Sequence, residues 1–450
     1  MHAAELIDTY DQRVPRYTSY PTAPNFAAAV DAGVYASWLQ AITPETTLSL
    51  YLHVPFCARL CLFCGCHTTA VNQTAPVEAY ANTLLVEINL LDSTIYRRLE
   101  VRHVHWGGGT PTMLPPQSMR AIDARLREQF FIRPDAEIAV EVDPRTLDTP
   151  ALEALASIGV NRASVGIQDF DPAVQVAIGR TQPWEASASC VARLRQIGVR
   201  SINLDLLYGL PYQTESSVAA TMRDALSLAP DRVAVFGYAH VPWMKKLQSL
   251  LPATALPDAM SRHAQFRAAE RVLRDNGYEV IGLDHFAKPD DPLAVAARVG
   301  TLHRNFQGYT TDAAPVLLGL GASSIGSLPQ GYVQNAASVP SWRDAIRNGR
   351  LPVVRGVALT PEDLLRRAVI ERIVCDLSVE LATVAARHGA APSSLMDAAP
   401  ALEQMARDGL IHWSGYRLSV TDVGRPFVRT VAAAFDTYLP TGAARHAMAV

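Results

Sequence analysis

Short apolar, β-branched or alternating runs recur along the first half of the chain, at 48–54, 101–106, 137–142, 162–167, 201–207 and 232–237. Between them apolar residues return with helical period at 77–99, 116–129, 149–157, 184–197 and 215–228. Strands present side chains with period two and amphipathic helices with period 3.6, so this alternation predicts consecutive strand–helix units around a parallel sheet, an α/β fold with six strands. Such sheets place their ligands outside the carboxyl ends of the strands. The segments leaving those ends, 53–57, 107–112, 141–144, 166–169, 205–209 and 238–240, are polar or glycine-rich, and function is expected to collect there.

The flanking regions read differently. Residues 1–46 form an N-terminal arm whose turn-rich stretch 15–22 has too little period for a core element. After Asp258 a helical stretch leads to a strand-like run at 278–286 and then a polar loop at 303–311. Thr360-Pro-Glu-Asp is a helix N-terminus, with a capping hydroxyl and proline in the first turn. The tail reads as helix (402–410), short hairpin (411–419) and helix (421–439), much like a winged helix. The expected division is therefore an arm at 1–46, a partial barrel and its extension at 47–330, and a mainly helical domain at 331–450.

Composition narrows the class. A chain of 450 residues exceeds the size at which one core stops growing, roughly 250–300 residues. With 49% hydrophobic and 18% charged residues, and 40 basic against 43 acidic side chains, neither a disordered tail nor a strongly basic nucleic-acid binder fits. Lys245, Lys246 and Lys288 are the only lysines, so arginine carries nearly all the positive charge, a skew that base composition explains as readily as carboxylate recognition. The start, Met1-His-Ala-Ala-Glu, lacks the basic and apolar regions of a secretory signal, and no apolar run approaches the ~20 residues of a membrane helix. Of six cysteines, Cys57, Cys61, Cys64 and Cys66 crowd together while Cys190 and Cys375 stand alone. That distribution is not a disulfide scaffold, and a cytoplasmic protein without membrane insertion is expected.

Cys57-x3-Cys61-x2-Cys64 puts three thiols in one loop directly after the first strand. A structural zinc site would need a fourth ligand, which Cys66 or His67 could supply. The four-cysteine ferredoxin spacing, with a distant cysteine followed by proline, is absent. His53, four residues before the first of these cysteines, is either a hydrogen-bonding neighbour of a metal centre or a core histidine.

Cys57-Ala-Arg-Leu-Cys61-Leu-Phe63-Cys64 resembles the C-x3-C-x-aromatic-C motif of the radical S-adenosylmethionine (SAM) enzymes. Further stretches, Tyr51-Leu-His53-Val-Pro-Phe-Cys57, Cys64-Gly-Cys66, His105-Trp-Gly-Gly-Gly-Thr-Pro-Thr112, Glu141-Val-Asp-Pro-Arg145, Gly166-Ile-Gln-Asp-Phe170, Asp205-Leu-Leu-Tyr-Gly-Leu-Pro211, Asp284-His-Phe-Ala287, the loop 303–311 and Phe435-Asp-Thr-Tyr438, are similar to those of the oxygen-independent coproporphyrinogen III oxidases. The resemblance runs from Pro15 to Leu439. It implies a partial (β/α)6 radical-SAM barrel in which Cys57, Cys61 and Cys64 hold a [4Fe-4S] cluster, with the fourth iron free to chelate SAM. The implied reaction converts two propionate side chains of coproporphyrinogen III to vinyl groups, giving protoporphyrinogen IX, through a 5′-deoxyadenosyl radical that takes a hydrogen from the propionate β-carbon. A monomer fed by a low-potential donor such as a flavodoxin or ferredoxin is implied as well. A related heme chaperone shares barrel and cluster but usually lacks the Cys-Gly-Cys ending and the Arg304-to-Thr311 loop, both present here.

Two SAM molecules are implied by the same resemblance. Tyr51, Gly108, Glu141 and Ile325 match positions around the first, although Tyr51 and Ile325 also read as core residues. Phe63, Gly109, Thr110, Gln168, Arg180, Asp205 and Ala239 match positions around the second. Gly237 departs from the family, which commonly has asparagine there. A tetracarboxylate substrate calls for arginines near the rim, with Arg16, Arg145 and Arg304 as candidates.

Overall fold

The computed structural model describes residues 3–439 and 447–449. Six parallel strands form its centre: β1 (Thr47–Val54), β2 (Glu100–Gly108), β3 (Phe131–Val142), β4 (Arg162–Gln168), β5 (Ser201–Tyr208) and β6 (Arg232–Gly237). Helices Thr74–Ile95, Pro116–Gln129, Thr149–Ser157, Trp184–Gln196 and Glu215–Leu226 return the chain between them. β3 is longer than expected: Phe131 and Ile132 pair with Glu100 and Val101 ahead of an irregularity that accommodates Pro134. The first helix stops at Ile95 rather than at 99, where Tyr96 turns into the left-handed region (φ 53°) and its N–H closes on Asp92 O.

The sheet continues on both sides. β7 (Glu279–Ile281) and β8 (His285–Ala287) add antiparallel strands beyond β6. Beyond β1 lie β9 (Val316–Leu320), which pairs with it in parallel, and then β10 (Ile325–Leu328), β11 (Gly331–Asn335) and β12 (Val353–Ala358). Among the described residues the order is β12-β11-β10-β9-β1-β2-β3-β4-β5-β6-β8-β7, an open wall of twelve strands. Residue 330 lies in the turn joining β10 to β11, so the sheet crosses the sequence-based boundary there and ends at Ala358.

Helix Pro361–Asp376 follows, capped as expected by Thr360, whose hydroxyl accepts from Asp363 N while Asp363 reaches back to Thr360 N. Strand Ser378–Glu380, helices Leu381–Arg387 and Ala399–Arg407, and hairpin Ile411–Ser414/Arg417–Val420 complete a winged-helix arrangement. The last helix is shorter than expected, a 3-10 turn at Arg425–Phe427 leading into Val428–Ala433.

The stretch 15–22 was expected to lie outside any core, and the structure corrects this. Tyr17 and Tyr20 are buried among residues of the C-terminal domain. Tyr17 Oη donates to Asp436 Oδ2 at 3.0 Å, and Tyr20 Oη lies 3.0 Å from Thr437 Oγ1. Single aromatic rings anchor this segment, and rings placed one by one leave no period to detect.

Buried Glu87, on helix Thr74–Ile95, binds the two halves of the sheet together. It accepts from Gly321 N (2.7 Å), Asn335 Nδ2 (2.7 Å) and Trp342 Nε1 (3.2 Å). Burial pushes its carboxyl up to about 8 against the effect of these donors. Glu87→Ala would strand three buried donors and is expected to cost ~3 kcal/mol or more, read from urea unfolding. The folded-state value lies above the unfolded 4.5, so this group withdraws stability as pH rises from 4.5 to about 8, and Glu87→Gln should flatten that decline.

Candidate functional site

β1 delivers the cysteine loop and β2 the glycine turn, and the two are hydrogen-bonded to each other. Gly109 N donates to Val54 O and Thr110 N to Phe56 O, both at 2.8 Å. The glycines are required by this approach. A Cβ on Gly109 would stand 2.4 Å from Thr68 Oγ1 and 2.6 Å from Phe56 O, and Gly108 sits at φ 115°, where a side chain would meet the His53 ring at 2.8 Å.

Cys57, Cys61 and Cys64 line one cavity, and each sulfur has a polar neighbour. Cys57 Sγ is approached by the hydroxyls of Thr68 (3.2 Å) and Thr110 (3.5 Å). Cys61 Sγ accepts from Arg180 Nη1 (3.4 Å) and Arg145 Nη2 (3.6 Å). Cys64 Sγ accepts from Cys66 N (3.4 Å), and its thiol is held below the usual range by the hydrogen bond from the Cys66 side chain. Burial pushes the Cys57 thiol up. All six cysteines are unpaired.

His53 has both ring nitrogens engaged, Nδ1 with Tyr51 Oη and Nε2 with His67 O, each at 3.0 Å. It therefore acts on the cysteine loop through the backbone at His67. From outside the loop, Gln248 Nε2 donates to Phe63 O and Lys245 Nζ to Cys66 O, both at 2.9 Å.

The same cavity gathers Phe63, Gly108, Gly109, Thr110, Glu141, Gln168, Arg180 and Asp205. Glu141 is fixed by Gly108 N to Oε2 (3.1 Å) and His105 Nε2 to Oε1 (3.2 Å), with over a third of its side chain exposed. Asp205 accepts from Ser164 Oγ (2.7 Å) and Asn203 Nδ2 (2.8 Å), and burial raises its carboxyl. Arg180 is buried. It donates to Gly166 O (2.7 Å) and lies 3.4 Å from Asp143, whose carboxylate also takes Arg145 at 2.6 Å. Arg145 thus points to the cysteines. Tyr51 and Ile325 do not line this cavity: the Tyr51 ring packs against His53 and His105, and Ile325 opens β10. Ala239 lines a different cavity, described below. Sequence reasoning missed Thr68, Asp143, Lys245 and Gln248 as neighbours of the loop; Asp143 falls inside a quoted motif, whereas the other three carry no local signal.

The donor set suits an iron–sulfur cluster better than a single metal ion. Among the described residues no three His, Cys, Asp or Glu side chains converge tightly enough to hold one ion, yet three thiols ring one cavity with guanidinium and hydroxyl donors at their sulfurs. Gly109→Ala is expected to displace the loop and lower iron incorporation on anaerobic reconstitution about tenfold or more with secondary structure retained; full incorporation would contradict the close approach.

Comparison with known proteins agrees with this geometry. Residues 51–225 match the family model of the Radical SAM superfamily, and residues 359–427, beginning where the sheet ends, match that of the HemN C-terminal domain. An oxygen-independent coproporphyrinogen III oxidase of Bradyrhizobium diazoefficiens is 50% identical over 448 residues, covering 99% of this chain and 100% of the relative. One from Cereibacter sphaeroides is 46% identical over 446 residues, covering 99% and 98%. The solved structure of coproporphyrinogen III oxidase (HemN) from Escherichia coli, described as a radical SAM enzyme, superposes with a TM-score of 0.90 at 37% identity over 95% of this chain and 100% of that one. Cysteine loop, barrel wall and full-length similarity agree, and the chain belongs to the oxygen-independent coproporphyrinogen III oxidase family of radical SAM enzymes.

Proposed function

We propose that this chain catalyses the oxidative decarboxylation of two propionate side chains of coproporphyrinogen III to vinyl groups, without oxygen, giving protoporphyrinogen IX. The observation that carries this reading is the cavity in which Cys57, Cys61 and Cys64 meet a rim of polar strand-end residues. In this reading these cysteines hold a [4Fe-4S] cluster, Tyr51, Gly108, Glu141 and Ile325 serve a first SAM, and Phe63, Gly109, Thr110, Gln168, Arg180, Asp205 and Ala239 a second. The cluster, when bound, supplies the electron that cleaves SAM to a 5′-deoxyadenosyl radical.

The protein's own contributions are positioning and charge. Arg180 and Arg145 donate to Cys61 Sγ and hold it in place at the cavity wall. Gly108 and Gly109 let the backbone come close to a ligand, and Glu141 offers an acceptor for an ammonium or hydroxyl. Cys66, hydrogen-bonded to Cys64, is a neighbour of the ligands rather than one of them. The enzyme is taken to work as a monomer in the cytoplasm, where unpaired cysteines persist, with a flavodoxin- or ferredoxin-like donor. No helix among the described residues is long and apolar enough to cross a membrane.

The test is anaerobic reconstitution followed by assay with SAM, a strong reductant and coproporphyrinogen III. CO2, vinyl product and 5′-deoxyadenosine are expected together. SAM left intact, or tight heme binding with no CO2, would overturn the reading. Cys61→Ala should lose cluster absorbance and turnover at once, and retained activity would refute the ligand assignment.

A further inference from the structure

A second cavity, of about 330 Å3, opens beside the ends of β5 and β6 and shares no lining residue with the cysteine cavity. Regions remote in sequence build it. The arm contributes Arg16, β5 and the segment after β6 contribute Tyr208 and Ala239, hairpin His303–Asn305/Gly308–Thr310 contributes Arg304, and the C-terminal domain contributes Arg429. Five arginines line it against two carboxylates, Asp11 and Asp284.

The deeper guanidiniums are arranged as if an acceptor were still to come. Arg304 has a side chain only 3% exposed, lies over the Tyr309 ring at 4.4 Å, and its Nη1 has no hydrogen-bond partner, the nearest carboxylate oxygen being Asp284 Oδ1 at 3.8 Å. Arg16 donates Nη2 to Gly237 O (2.8 Å) and keeps exposed surface. Arg429 donates to the backbone carbonyls of Pro15 (3.0 Å) and Met448 (2.9 Å), which carry no full charge to balance its own. Burial, with Arg16 adding to it, pushes Arg429 down to about 10. Like charges gathered in a partly dry cavity destabilise the free protein and favour an anion. The side-chain room at Gly237, where the family commonly has asparagine, is filled from the same wall: a Cβ there would meet Tyr208 Oη at 2.9 Å and Arg262 Nη2 at 3.1 Å.

We propose that this cavity is an anion site that takes a propionate carboxylate of the substrate, through Arg16, Arg304 and Arg429. The assignment rests on the reaction proposed above. It is favoured over a free inorganic anion by continuity with the cysteine loop. Tyr238, next to Ala239, packs in one apolar cluster with Leu62 and Phe63, and the same segment reaches the loop through Lys245 and Gln248. A carboxylate held here belongs to a molecule whose body extends toward the cysteines.

Coproporphyrin III, the air-stable oxidised macrocycle, is titrated into the full chain by fluorescence. Arg304→Gln and Arg16→Gln are each expected to weaken binding about tenfold, with part of it restored by Arg304→Lys, while SAM affinity stays constant. The tetramethyl ester should bind the unchanged chain and Arg304→Gln alike. Asp284→Asn, which removes negative charge from the wall, should tighten coproporphyrin binding about threefold, an opposite sign that mere misfolding would not produce. Unchanged affinity in both glutamine variants, or loss of SAM binding instead, overturns the cavity assignment. Inorganic phosphate competing as well as coproporphyrin would also overturn it, in favour of a free-anion site. In turnover, raised KM at near-constant kcat is expected of the arginine variants. Unchanged KM in an active enzyme sinks the cavity assignment alone; no turnover by the unchanged chain, with arginine-dependent coproporphyrin binding intact, sinks the reaction and leaves the anion site.

Discussion

The geometry of the site depends on one close approach, the pairing of the cysteine loop with the glycine turn through Val54 O and Phe56 O. Two backbone hydrogen bonds across the ends of adjacent parallel strands fix the loop that carries three thiols against the turn that carries Gly108, Gly109 and Thr110. The approach leaves no volume for a side chain at Gly109, and it brings Thr68 and Thr110 onto the sulfur of Cys57 from two sides. Three side chains brace this contact from behind: His53 through His67 O, Tyr80 through its hydrogen bond to His53 O, and Glu87 through Gly321, whose turn follows β9.

The central fold was legible because its rule is local. Each of β1 to β6 announces itself within seven or so residues, and a parallel sheet tells where its ligands go. The cysteine spacing was equally local. What escaped were contacts made across long sequence distances. β9 returns to β1 from the side away from β2, and no pattern within residues 316–320 says which strand will receive them. Tyr17 and Tyr20 look like turn residues until Asp436 and Thr437 are brought beside them. Only resemblance singled out Arg180, because its partners, Cys61, Asp143 and Gly166, come from three other segments. Tyr51, Ile325 and Ala239, which match family positions, do not line the cysteine cavity, and Ala239, in the segment after β6, lines the second cavity.

Charge is distributed in a way that composition could not disclose. The near balance of acids and bases over the whole chain conceals an inward bias, in which Arg145 and Arg180 face the cysteines with Asp143 between them while Arg16, Arg304 and Arg429 gather beside the ends of β5 and β6. In the first group two guanidiniums share Asp143 within hydrogen-bond distance, whereas in the second Asp284 stands 3.8 Å from Arg304. A guanidinium keeps its charge where an ammonium would lose it on burial, which gives the scarcity of lysine a physical consequence whatever its origin.

The tie between the arm and the C-terminal domain bears on how the chain reaches its working form. Tyr17 meets Asp436, Arg429 meets Pro15, and Thr430 meets Tyr10, contacts separated by 419, 414 and 420 residues. Synthesis from the N-terminus exposes the arm's aromatic residues first and supplies their partners last, so the barrel can form while its neighbouring arginine wall remains open. In the interval between, the apolar cluster that buries Tyr10, Tyr17 and Tyr20 lacks its C-terminal half.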